Sequence, residues 1–471
     1  MSELESTQKA APEQGDAGGS RAGEARLVEV LVSQRPVLGR CISLSKADEM
    51  WLGRGSVEAF EHANRKITVA IADSEISRQH CVVRRAVGGW GWEIEDLGSK
   101  NGTLVSGTAA KSKEPTQLLD RDVIQIGGTV FVFRLEGVGA AATVGRNFTN
   151  QGAEVDLRKT IFPTWLGNLE QTLTELAEAT KPVSVIIGGE SGTGKELVAR
   201  ALHDMSGRGG AFVAVNCGAL PAPLVESLLF GQKRGAFTGA TEEPGFVRSA
   251  DRGTLFLDEI ADLPKESQGK LLRVLQEGEV TPVGASRPIR VDFRVIAATH
   301  GNLRGMVEQG TFRRDLFARL SSGFDIALPS LRERREDIGI LMATILSSIR
   351  AQNVTLDSEA ARALFMYHYP ENIRQLKSAL EAAADKAHGG LIGRRHLPSE
   401  IRDYRPEKDL RLNPEEEEKL ANVRKNLRET GGNVSETARR MGTYGSTIHR
   451  WRKKFRIDLD QYRPPKKKSK S

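Results

Sequence analysis

The densest chemistry in this 471-residue chain sits at Gly189-Glu190-Ser191-Gly192-Thr193-Gly194-Lys195-Glu196. The run follows an apolar stretch, Val183–Ile187, and opens a helical pattern, Glu196–Met205. Glycines let backbone N–H groups close on phosphate oxygens, the helix N-terminus adds a positive field, and Lys195 reaches the outer phosphates. The alternative, a glycine-rich turn that binds nothing, does not need this strand and helix around it. Glu196 stands where a hydroxyl residue commonly ligates magnesium, so that ligand is missing. A second apolar run, Thr254–Leu257, ends in Asp258-Glu259. Carboxylates at the C-terminal edge of a buried parallel strand sit where ligands bind in such sheets. Asp258 can hold Mg2+ through water, and Glu259 can orient and polarise an attacking water. The expected chemistry is hydrolysis at a bound phosphoryl group.

These residues need a scaffold, and the chain divides into regions that supply one. Residues 1–26 are polar and expected to form a disordered leader. In 27–136, short apolar runs (Ile67–Ile71, Cys81–Val83, Trp92–Ile94, Val123–Ile126, Val130–Phe133) alternate with turn residues, which predicts an all-β sandwich. The stretch 137–158 is a linker, rich in Gly, Ala and Asn over 137–152, and its flexibility favours coupling through assembly over rigid transmission. Strands alternate with longer helical patterns over 159–397, as in an α/β layer fold. A charged connector spans 398–414, a small all-α domain 415–460, and a basic tail 461–471. The chain is therefore expected to be multidomain.

Formal net charge is +7, and the surplus is concentrated at the C-terminal end, which favours a polyanion partner there. Three scattered cysteines form neither a disulfide framework nor a zinc pattern. With no apolar run long enough for a membrane and no secretory h-region, the expected location is cytoplasmic. In the all-α region, Asn433 and Glu436 can start a helix as a capping box. Ala438, Gly442 and Ile448 then fall where a helix-turn-helix needs a small, a turning and an apolar residue. Ile448, Trp451 and Phe455 make an inner stripe, while Ser446, Thr447, His449, Arg450, Arg452 and Lys453 are offered to bases and phosphates. An upstream helix carries Leu420, Val423 and Leu427 on one face, which could pair two copies.

The stretch Gly235-Ala236-Phe237-Thr238-Gly239-Ala240 resembles the loop of bacterial sigma-54 activators, a class of AAA+ ATPases. Its glycines would make a mobile tip presenting an aromatic ring and a hydroxyl. The resemblance runs from about Phe162 to Leu397 and implies an α/β P-loop ATPase with a helical lid. It implies that Asn216 restrains Glu259, that Thr299 and Arg374 sense the nucleotide, and that Arg313 and Arg319 are fingers entering a neighbour's site. A homo-oligomeric ring, taken as a hexamer, follows, with sigma-54 RNA polymerase as its target. Tyr369, Glu371, Arg252 and Leu228 depart from the usual family residues, and Glu371 puts negative charge near Arg374. The C-terminal region resembles a Fis-type domain that binds upstream promoter DNA, although Thr443 replaces an apolar turn residue. Near the N-terminus, Gly53-Arg54, Ser77-Arg78-Gln79-His80 and Asp96 to Thr103 resemble the forkhead-associated (FHA) domain. That implies a phosphothreonine-containing partner bound by Arg54, Ser77 and Asn101, helped by Arg78 and Lys100, with His80 bracing the loops. Departures are a long loop between Arg54 and Ser77, and Ser106 in place of Asn. Rival expectations are an AAA+ unfoldase or helicase loader, and a DNA-binding scaffold with a dead ATPase.

Overall fold

The computed structural model describes residues 25–135, 164, 167–179, 183–236, 241–405 and 414–454, apart from 38–39, 46, 56–58, 64, 87–90, 350 and 352–353. Two sheets face each other in the N-terminal region. Among the described residues, one runs in the order Thr108–Ala109, Thr103–Val105, Val123–Ile126, Thr129–Leu135, Ala25–Val32, Arg35–Pro36, with Cys41–Ser43 also paired to Ala25–Val32. The other runs Pro115–Leu118, Trp92–Asp96, Cys81–Arg85, Glu49–Arg54, Lys66–Ile71, Ala59–Ala63. Period-two alternation explains the core: Ile67, Val69 and Ile71 point inward against Met50, Leu52, Phe131 and Phe133. The first strand starts at Ala25, inside the stretch expected as leader, because Ala25 and Arg26 pair with Leu135 and Arg134.

The central region is a parallel five-stranded sheet in the order Phe212–Asn216, Thr254–Asp258, Arg294–Thr299, Val185–Gly188, Phe324–Ala327. Parallel registry carries Gly188 beside Thr299 and Asn216 beside Asp258, so the chemically active strand ends share one edge. The helix Lys195–Met205 follows the phosphate loop. The lid consists of helices Asp337–Ser348, Ser358–Met366, Asn372–Lys386 and Ser399–Arg402. Ile401 is fully buried in the lid's cluster, so residues expected as connector from 398 onward extend the lid instead.

The sandwich packs directly on this lid. Val28, Val30, Val130 and Val132 share one buried cluster with Ile338, Met342 and Leu356. The contact follows because one sheet is apolar on both faces and water must be excluded from each. Residues 137–158 lie outside the described residues.

Residues 405–471 form a separate unit. It contains helices Pro414–Glu429, Val434–Arg440 and Gly445–Lys454. Asn433 caps the second, accepting from Glu436 N at 3.1 Å. Gly442, at φ 62°, turns the chain toward the third. Val423 and Leu427 are fully buried, with Trp451, Val434 and Met441 packed on them. That face packs in the unit's own three-helix core. No described helix is long and apolar enough to cross a membrane.

Candidate active site

The phosphate loop is preformed. Lys195 is 7% exposed, and its Nζ donates to Gly189 O at 2.9 Å and Glu190 O at 3.3 Å. Gly192 has φ 76°, and a Cβ there would lie 2.2 Å from Glu371 O, so only glycine fits between loop and lid. A buried lysine and left-handed glycines around open backbone donors fit the phosphates of a nucleotide.

The acidic pair stands opposite. Burial, and then the Glu259 carboxylate, push the Asp258 carboxyl above the usual aspartate range, against the pull of Lys195. A divalent cation would relieve that strain, so Asp258 suits Mg2+. Glu259 sits in the left-handed region at φ 51°, ψ 51°, an uncommon conformation for a non-glycine residue and one met at working sites. Its Oε1 is 3.7 Å from Lys195 Nζ. Its Oε2 accepts from His300 Nδ1 at 2.6 Å and from His300 N at 3.2 Å. His300 was not selected from the sequence; its place directly after Thr299 at the strand end was the available signal. Asn216, expected to restrain Glu259, accepts through its side-chain oxygen from Ala219 N at 3.1 Å and caps a short turn. Glu196 is exposed and pairs with Arg200 at 2.8 Å.

The strand-end and lid residues converge on the loop. Thr299 O accepts from Gly189 N at 3.2 Å, and Thr299 Oγ1 accepts from Gly301 N at 2.9 Å. Arg374 donates to Ser191 Oγ at 3.2 Å. Two further lid residues, missed in the sequence, hold the same loop. Arg332 grips Glu190 through two bonds of 2.8 and 2.5 Å, and Asn372 donates to Ser191 O at 2.9 Å. The hydrogen bonds from Arg332 hold the Glu190 carboxyl down at about 2. Arg313, half-buried, pairs with Asp315 at 2.7 Å, and Arg319, exposed, donates to Leu275 O at 2.8 Å.

Residues 231–245 carry the loop containing Gly235 and Ala236. Gln232 and Glu243 exchange two backbone bonds of 3.0 Å and close its base. Gly231 and Gly245 meet so closely that a Cβ on Gly245 would lie 2.2 Å from Gly231 N. Phe237, Thr238, Gly239 and Ala240 lie outside the described residues.

The sandwich presents a second cluster. Arg54 is exposed and donates to Ser74 O at 3.3 Å. Ser77 Oγ accepts from Lys100 N at 3.1 Å, and Asn101 donates to Glu75 O at 2.8 Å. His80 is fully buried; its Nδ1 accepts from Ser77 N at 3.1 Å, so its Nε2–H donates to Gly102 O at 3.1 Å. It braces two loops as expected, and burial lowers its pKa. A Cβ on Gly53 would strike Arg78 O at 2.0 Å, which fixes glycine beside Arg54. Arg54 and Arg78 border an open cleft of about 280 Å³ with Trp51 and Lys66. Ser106 takes φ 47° before Gly107, and its hydroxyl bonds Asp122 at 2.5 Å, so Ser serves the turn where Asn is common.

In the C-terminal unit, Ser446, His449 and Arg450 are exposed and Thr447 is half-buried, while Ile448 is fully buried. The side chains of Arg452, Lys453 and Phe455 lie outside the described residues.

Fold and sites together define an AAA+ ATPase module joined to an FHA domain. Residues 166–325 match the Sigma-54 interaction domain, 332–413 the AAA+ ATPase lid domain and 50–127 the FHA domain. The chain is 46% identical over 252 residues to the DNA-binding transcriptional regulator NtrC of Azospirillum brasilense, covering 52% of each chain. It is 47% identical over 230 residues to the regulatory protein AtoC of Escherichia coli, covering 48% of this chain and 50% of that one. It thus spans about half the length of these curated relatives. A solved structure of NtrX from Brucella abortus in complex with ATP is 34% identical, covers 62% of this chain and 67% of that one, and superposes with a TM-score of 0.45.

Proposed function

We propose that this protein is a sigma-54-dependent transcription activator that hydrolyses ATP to remodel sigma-54 RNA polymerase for promoter opening. The observation that carries this reading is the sequence of the Gly235–Ala240 segment, between Gln232 and Glu243, whose backbones pair, in a chain that also carries the nucleotide-site residues Lys195, Asp258 and Glu259. In that site Lys195 neutralises phosphate charge, and Glu259, held by His300, orients and deprotonates the attacking water. Mg2+ bound through Asp258 would supply further charge neutralisation. Arg313 and Arg319 complete the site of a neighbouring copy, which requires a ring; a hexamer is the expected form. A scaffold with a dead ATPase fits less well, because Lys195, Asp258 and Glu259 are all present, with Lys195 Nζ 3.7 Å from Glu259 Oε1.

The C-terminal unit acts as a Fis-type helix-turn-helix on upstream promoter DNA, with Ser446, Thr447, His449, Arg450, Arg452 and Lys453 as contacts. The input is a phosphothreonine-containing protein made by a Ser/Thr kinase. Arg54 and Ser77 bind its phosphate, Asn101 its backbone, and Arg78 and Lys100 assist.

The test of the central reading is Thr238→Ala in the full chain. ATPase activity should stay near wild type, while engagement of sigma-54 and open-complex formation are lost. A variant that still opens promoters removes the reading.

The input has its own test. Arg54→Ala should weaken a phosphothreonine peptide by about tenfold or more, the scale of a lost charged hydrogen bond. Titration with labelled peptide measures this, and equal affinity in both proteins excludes Arg54 as the phosphate ligand.

A further inference from the structure

We infer that the FHA domain is a positioning element of the nucleotide site, acting through Arg134 on the lid segment Leu331–Asp337. The inference rests on the ATPase reading above and adds to it a second role for the phosphopeptide module.

The lid segment is gripped from two sides. On the nucleotide side, Arg332 holds Glu190. Arg334, 1% exposed, donates to Thr193 O at 2.7 Å and to Asp337 at 3.3 Å. Leu331 N donates to Asn372 Oδ1 at 2.7 Å. On the other side, Arg134 of the sandwich donates to Glu333 O at 3.2 Å and to the Glu336 carboxylate, while Asp120 steadies its Nε at 3.0 Å. Arg332 and Arg334 therefore alternate with Glu333 and Glu336, so that one short segment joins the phosphate loop to the FHA domain.

The contact is close enough to transmit position. A Cβ on Gly339 would lie 2.2 Å from Val30 O, so helix and strand meet backbone to backbone. Leu356 N donates to Gln34 O at 2.8 Å, and Gln125 bonds Ser358 O at 3.0 Å and Arg362 at 3.1 Å. The phosphopeptide loops are tied to the same strands: Asp73 accepts from Gly128 N at 3.0 Å and Thr129 Oγ1 at 2.8 Å, and Gln34 N donates to Gly128 O at 2.8 Å.

Electrostatics sets the direction of the effect. Glu336 is 2% exposed, and its Oε2 has no hydrogen-bond partner among the described residues. A buried carboxylate that loses its cation is strongly destabilised and recruits another. Arg334, in the same segment, would be drawn toward it, and its departure from Thr193 O would loosen the phosphate loop. Losing Arg134 should thus weaken nucleotide binding rather than block the chemical step.

The experiment uses the full-length protein and measures both the Kd for a fluorescent ATP analogue and steady-state kcat and KM. Arg134→Ala and, separately, Gly339→Val should each raise Kd and KM about fivefold or more, at the low end of couplings between sites, with kcat changed less. Arg134→Lys, or adding Glu336→Gln to Arg134→Ala, should recover part of the lost affinity, because the first gives the buried carboxylate a cation again and the second removes its charge. Wild-type Kd in both single variants overturns the inference, as does an Arg134→Ala defect that neither rescue relieves. A wild-type protein that binds the analogue but hydrolyses no ATP defeats the ATPase reading, and the Kd comparison still decides the positioning role.

Discussion

Glu259→Gln should bind ATP with near wild-type affinity and lose turnover by about 10²-fold or more, the usual scale for removing a general base. Glutamine keeps the size of the side chain and can keep a hydrogen bond to His300, which approaches Glu259 Oε2 at 2.6 Å. It cannot take a proton from water. Binding should survive because Lys195 is anchored by the Gly189 and Glu190 carbonyls at 2.9 and 3.3 Å, not by Glu259, which is farther away at 3.7 Å. Binding of a fluorescent nucleotide and steady-state phosphate release check the two halves separately. Wild-type turnover in this variant would exclude Glu259 as the base and shift the role to Asp258. The left-handed backbone at Glu259 favours this conservative replacement, since a bulkier or β-branched side chain would add strain at φ 51°.

Removing residues 405–471 should abolish site-specific DNA binding while ATP hydrolysis persists. The lid's last helix, Ser399–Arg402, and the buried Ile401 lie before the cut, so the ATPase core keeps its packing. Specific sites are usually bound about 10³-fold or more tightly than random DNA, and that whole preference should vanish. Binding by the intact chain should fall steeply with salt, because Lys and Arg release counterions from phosphates. Anisotropy titrations on fragments upstream of sigma-54 promoters, at two salt concentrations, measure both effects. Retained specificity in the truncated protein would place the DNA reader elsewhere.

The chemistry that lies within a few consecutive residues was open to sequence reasoning. Gly189 to Glu196 form a loop whose function depends on their own backbone angles and on the strand and helix beside them, all local. The same holds for Asp258-Glu259 at a strand end and for the Asn433 cap, which accepts from Glu436 N as its spacing required. Strand pairs with clean alternation, such as Lys66–Ile71, were equally legible because burial on one face leaves a period of two.

Contacts between distant segments were decided only by tertiary structure. Arg332 meets Glu190, and Arg334 meets Thr193 O, across about 140 residues of chain. An arginine in a charged run looks solvated until a partner is brought to it, so nothing in Arg332-Glu333-Arg334-Arg335-Glu336 marked which of them would be buried. His300 became the partner of Glu259 because parallel strands carry Glu259 and Thr299 to one edge. The seating of the sandwich on the lid left a faint trace in the sequence. In Thr129–Leu135, Phe131 and Phe133 face the sandwich core while Val130 and Val132 face the lid, so apolar residues occupy both faces. Such a run states that both faces are covered; only the folded chain shows that the second cover is the lid of its own ATPase.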